Sequence, residues 1–142
     1  MPRNVGALFL DSAPRERLTR AEERRLALRF TQAGDERALW ALIRAHLRLA
    51  ARVASQFWRA YGPGLELEDL QQQALLGLTV AARGFKPAKG ARLSTYAIYW
   101  MRAFLRDYLL RARWPVRVGT TTTQRRVIFG LSRAEQALRN RG

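Results

Sequence analysis

The sequence predicts an all-α fold, a bundle of about five helices, and three observations carry that expectation. Apolar residues recur at spacings of three and four in successive stretches, the pattern of helices with one buried stripe. Capping residues and breakers alternate between those stretches: Thr19 and Asp35 start helices, while Gly34, Gly62-Pro63-Gly64 and Trp114-Pro115 stop them. No strand-like alternation extends beyond a few residues.

Taken in order, residues 1–18 show no sustained periodicity and read as a flexible leader. Thr19-Arg20-Ala21-Glu22 has the spacing of a capping box, which predicts a helix running to about Ala33. Asp35 then caps one long amphipathic helix whose stripe is Leu39, Leu42, Ile43, Leu47, Ala50, Val53, Ala54 and Phe57. His46 falls on that apolar face, where a core histidine is expected rather than a ligand.

After Gly62-Pro63-Gly64, the sequence L-E-L-E-D-L opens a third helix running to about Arg83. Its Glu66, Glu68 and Asp69 are the densest acidic cluster of the chain. Carboxylates at a helix N-terminus interact favourably with its dipole, and that explanation stands beside a docking point for a basic partner. Asp69, Gln72, Gln73 and Leu76 share one face. A basic loop, Phe85-Lys86-Pro87-Ala88-Lys89-Gly90, leads to a helix capped by Ser94 or Thr95 and ended by Trp114-Pro115, because a residue before proline is pushed out of the α region. A last helix is expected from about Thr122 to Arg139.

The helix after Ser94 has two unlike faces. Ala97, Ile98, Met101, Phe104, Leu105, Tyr108 and Leu109 form an apolar one; Tyr96, Tyr99, Arg102, Ala103, Arg106 and Arg113 form the other. Aromatics interleaved with cations suit a single nucleic-acid strand, since bases stack on rings and phosphates pair with guanidinium groups. Arginines laid over partly buried tyrosine rings would produce the same composition, and the residues alone leave both open.

Charge bears on the choice. The 142 residues carry a net charge of +15, which implies a polyanionic partner, nucleic acid or an acidic membrane surface. Residues 83–126 hold eleven basic residues against one acid, Asp107, whereas residues 1–82 hold twelve against nine. No apolar run reaches the ~18 residues that cross a bilayer. The absence of cysteine excludes disulfides and thiolate metal sites and fits a cytoplasmic location. A single histidine argues against a histidine-based zinc site or a Ser-His-Asp triad, and no phosphate-binding glycine loop or paired-ligand spacing occurs. No catalytic residue, metal or cofactor is expected.

The order of pieces resembles region 2 of bacterial RNA polymerase sigma factors of the sigma-70 family. The stretches that carry the likeness are L-I-R-A-H-L-R-L-A-A-R-V-A, then D-L-Q-Q-Q-A-L-L-G-L, then G-F-K-P-A-K-G-A-R-L-S-T-Y-A-I-Y-W-M-R. The later V-R-V-G-T-T-T-T-Q-R-R-V-I-F-G-L is most similar to the heat-shock-type branch. The resemblance implies a region 1.2/2-like helical domain over 19–118 and, over 119–142, a C-terminal helix at the start of region 3. It also implies a role in transcription initiation: binding core RNA polymerase and melting the −10 promoter element. Its partners would be the clamp coiled coil of the largest polymerase subunit and the non-template strand of promoter DNA, with an anti-sigma factor as a further class.

Residue by residue, the resemblance assigns Asp69, Gln72 and Gln73 to polymerase docking. It assigns Phe85, Tyr96, Tyr99 and Trp100 to the opened −10 strand, and Arg102 and Arg117 to backbone phosphates. Three departures stand out. Gln73 replaces a glutamate, Gln71 places an amide on the inner side of its helix, and Ala103 and Arg106 stand where housekeeping members read the −10 element with Gln and Thr. A housekeeping consensus is therefore not expected. The chain ends at Gly142, where region 3 would begin, so the expectation is a fragment, a truncated product or a stand-alone region 2 protein. The alternatives are a protein that occupies the clamp without directing promoters, and a helical protein that binds nucleic acid without specificity.

Overall fold

Thr19 starts the first helix as its capping-box spacing predicts. In the computed structural model, which describes residues 17–113, its hydroxyl accepts the Glu22 N–H at 3.2 Å while the Glu22 carboxylate accepts the Thr19 N–H at 3.0 Å. Helix α1 spans Arg20–Ala33 and stops at Gly34, whose φ of 65° is the left-handed conformation that glycine adopts without strain. Asp35 caps α2, Glu36–Ala45, through the Arg37 and Ala38 N–H groups and also pairs with Arg29 at 2.9 Å.

The expected long helix from Asp35 to Phe57 is two helices. It breaks at His46 and resumes as α3, Leu47–Tyr61. The His46 backbone N–H bonds to the Ile43 carbonyl at 3.0 Å, a three-residue step, while its ring Nδ1–H donates to the Leu42 carbonyl at 2.7 Å. The side chain takes over the acceptor that the backbone would have used, and the ladder is interrupted there. The apolar stripe survives the break: Leu39, Leu42, Ile43, Leu47, Ala50, Val53, Ala54 and Phe57 are all buried.

A turn through Gly62-Pro63-Gly64 is closed by the Leu65 N–H on the Gly62 carbonyl at 2.8 Å and by the Trp58 indole N–H on the Leu65 carbonyl at 3.1 Å. Helix α4, Leu67–Gly84, follows and packs along α3. Pro87–Lys89 makes a short 3₁₀ turn, and α5 spans Leu93–Arg113. Ser94 and Thr95, expected as its cap, lie inside its first turn.

The described residues contain helices and no strand, an all-α fold. Those up to Leu105 form one unit; from Arg106 the chain belongs to a second, most of which lies outside the described residues. Most of the leader 1–18, the Trp114-Pro115 stop and the helix expected from Thr122 also lie outside them. The core of the first unit is built from Leu39, Leu42, Leu70, Leu78, Leu93 and Met101, each 0 % exposed. Burying one such side chain contributes about 1.5–3 kcal/mol.

Candidate nucleic-acid interface

Helix α5 buries a narrow stripe, Leu93, Ala97, Met101 and Leu105, all 0 % exposed. The i, i+4 spacing turns Tyr96, Tyr99, Trp100, Arg102 and Ala103 away from that stripe, and each is partly exposed. Tyr96 and Trp100 meet edge to face, their ring centroids 6.4 Å apart at 82°. This is the favoured geometry of an aromatic pair and holds both rings in one orientation. The Tyr96 hydroxyl extends over the end of α4, where a methyl group added at Gly84 would stand 3.4 Å from it. Tyr96 therefore leans on an aromatic neighbour, and at the end of α4 the Arg83 guanidinium lies 5.9 Å from the centre of the Phe30 ring. Arg106, one turn beyond Arg102 and in the second unit, is also partly exposed. Arg117 lies outside the described residues.

Phe85 departs from the expectation of a ring open to a stacked base. It ends α4 in an extended conformation and is only 4 % exposed. Its ring is part of the lining of a cleft of about 410 Å³ between α1 and the basic loop, with Arg20, Arg24, Pro87 and Arg92 around it.

On α4, Glu68 and Asp69 stand in the first turn, where a negative charge meets the positive end of the helix dipole. That accounts for their position in the helix. Asp69 and Gln73 are partly exposed and Gln72 exposed, and Leu76 and Val80 extend the strip at 50 % and 36 % exposure. Gln71 turns inward, its Oε1 buried without a hydrogen-bond partner.

A charged cluster at the start of α5 goes beyond what the sequence pattern predicts. Glu23 is 3 % exposed and His46 9 %. The Arg92 Nε–H donates to Glu23 Oε2 at 3.1 Å, and Arg92 Nη2 donates to the Leu18 carbonyl at 2.7 Å. Thus one partly exposed cation of the basic half is paired with a buried carboxylate. Its sequence signal is Glu23 itself, which shares the α1 stripe with Leu26, Ala27 and Phe30 at helical spacing, next to the capping Glu22.

Among the described residues no group of three His, Cys, Asp or Glu side chains could hold a metal, and no helix is long and apolar enough to cross a membrane. The outer face of α5 presents aromatic rings and arginine side chains. The family model for Sigma-70 region 2 matches residues 42–115. The RNA polymerase sigma-C factor of Myxococcus xanthus is 41 % identical over 125 residues, 88 % of this chain and 41 % of that protein. The RNA polymerase sigma factor RpoH of Caulobacter vibrioides is 36 % identical over 121 residues, 85 % of this chain and 40 % of its own length. RpoH of Zymomonas mobilis is 39 % identical over 112 residues, 79 % and 36 % respectively. The chain thus spans about two fifths of the relatives it matches. The RpoH proteins agree with the heat-shock-type likeness of the sequence. This chain belongs to the sigma-70 family of RNA polymerase sigma factors, and residues 42–115 are its region 2.

Proposed function

We propose that the chain is a sigma-type transcription initiation module that docks on core RNA polymerase through α4 and holds the opened −10 non-template strand on the outer face of α5. The observation that carries this reading is the Tyr96–Trp100 pair, partly exposed and edge to face on the helix that buries Leu93, Ala97, Met101 and Leu105. An adenine taken out of the duplex costs a few kcal/mol of unstacking. Stacking on an aromatic ring returns about 1–3 kcal/mol per base. Tyr96, Tyr99 and Trp100 supply the rings, while Arg102 supplies a cation for the phosphates that run past them. Such phosphate contacts set register and carry no base information. Phe85, buried against the cleft between α1 and the basic loop, is left out of the stacking surface.

The docking half rests on Asp69, Gln72 and Gln73, which project from one side of α4 beside exposed Leu76. The partner would be the clamp coiled coil of the largest polymerase subunit. Fluorescence anisotropy with a labelled −10 non-template strand tests the first half: Tyr96→Ala and Tyr99→Ala should weaken binding while leaving clamp binding intact. Asp69→Ala should do the reverse. Equal loss on every single strand would remove the base-directed part of the reading and leave a non-specific binder.

A further inference from the structure

Helix α5 begins with Leu93, and the first N–H groups of any helix lack intrahelical partners. The residue before it is Arg92, whose carbonyl already accepts the Tyr96 N–H at 3.2 Å. An arginine side chain has no acceptor, so it cannot cap the helix that it precedes. The missing acceptor comes from another helix: Glu23 of α1 receives the Leu93 N–H on Oε1 at 3.3 Å, across a separation of 70 residues. The same carboxylate holds Arg92 through Oε2 at 3.1 Å and faces His46 Nε2 at 3.5 Å. His46 is oriented in turn by the Leu42 carbonyl, and Arg92 by the Leu18 carbonyl. A buried negative charge at this end of α5 also complements its dipole, in surroundings where water screens little.

We propose that Glu23 is a positioning residue for the strand-binding face: by capping α5 from α1, it fixes where the first turn of α5 places Tyr96 and, through the aromatic pair, Trp100. Leu93 and Tyr96 are three residues apart, so a shift or fraying of the capped end moves the tyrosine directly. Two properties set Glu23 apart from an ordinary buried ion pair. Its acceptor serves the backbone of the very turn that carries Tyr96, and its second oxygen fixes the residue immediately preceding that turn. The inference rests on the strand-binding reading of α5.

The test uses the full 142-residue chain and two labelled single strands, one with a central adenine and one with an abasic residue in its place. The ratio of their affinities reads base stacking alone, because the phosphates are the same. Glu23→Asp keeps the charge but draws the acceptor back by one methylene, and should lower this ratio by about threefold or more, with the abasic strand bound within about twofold of wild type. Glu23→Gln keeps one acceptor of the original reach for the Leu93 N–H but turns an N–H toward Arg92, and should retain more of the preference than Glu23→Asp. Thermal unfolding by circular dichroism accompanies each variant. If Glu23→Asp keeps the full preference while Tyr96→Ala loses it, the positioning role is overturned and the strand-binding reading stands. A parallel loss on both strands, in step with the thermal midpoint, would also overturn it as a merely structural effect. If wild type and Tyr96→Ala alike show no preference for the adenine strand, the strand-binding reading falls and the positioning role falls with it.

Discussion

Gly77 of α4 meets the backbone of Met101 on α5 so closely that a β-carbon added to the glycine would stand 2.7 Å from the Met101 Cα and N and from the Trp100 carbonyl oxygen. No side chain fits there. The contact sets the separation of the two helices at the level of Trp100, and it lies between the proposed docking helix and the proposed strand-binding helix.

Gly77→Ala should therefore destabilise the fold in spite of alanine's better helix propensity. Overpacking costs about 1–3 kcal/mol, more than the ~1 kcal/mol that replacing a mid-helix glycine returns. Urea denaturation should show a lower midpoint. Because the obstruction is backbone rather than a movable side chain, α5 must shift, and binding of the adenine strand should fall as well. An unchanged midpoint would mean that the helices separate without cost.

Gln71→Leu should raise stability by about 1–2 kcal/mol. The buried Gln71 Oε1 has no hydrogen-bond partner, and an unpaired polar group carries a desolvation penalty of that order. Leucine of similar length removes the orphaned carbonyl and adds apolar contact. The midpoint of urea unfolding is again the measurement, and a fall would show that the amide is satisfied in solution.

The core of this chain is legible in its sequence because its signal is local. Thr19, Gly34, Asp35 and Gly62 punctuate the helices where short-range capping and breaking rules put them, and all eight stripe residues from Leu39 to Phe57 are buried. What escaped depends on partners distant in sequence or on a side chain competing with the backbone. The break at His46 leaves the apolar period intact, so nothing in the pattern announces it. Ser94 was a reasonable cap by composition, but the true acceptor is Glu23, 70 residues away. The tyrosine-arginine face of α5 was visible, whereas Phe85 turning inward was not, because an aromatic after a helix end packs in or out according to what lies below it.

His46→Ala tests the break. The imidazole bonds the Leu42 carbonyl at 2.7 Å and approaches Glu23 at 3.5 Å. Its removal strips a buried carboxylate of one neighbour and a buried carbonyl of its partner, so a loss of about 1–3 kcal/mol is expected by urea denaturation. With no ring competing for the Leu42 carbonyl, the backbone N–H at position 46 can take the i−4 bond, and α2 and α3 can approach one continuous helix. Slower amide hydrogen exchange around residues 45–48 would report it, and unchanged exchange would show that the kink has another cause.

Salt dependence separates the two kinds of residue on α5. Each phosphate neutralised on a single strand adds about 0.7 to the slope of log K against log salt. Arg102→Ala should flatten that slope by about 0.7 and weaken adenine and abasic strands alike, because a guanidinium–phosphate contact is blind to the base. Tyr96→Ala should do the opposite: a loss of about 1–3 kcal/mol confined to the strand that carries the base, at an unchanged slope. A Tyr96 variant that altered the slope would mean that the ring organises cations rather than a base. An Arg102 variant that spared the slope would place the phosphate path elsewhere on the chain.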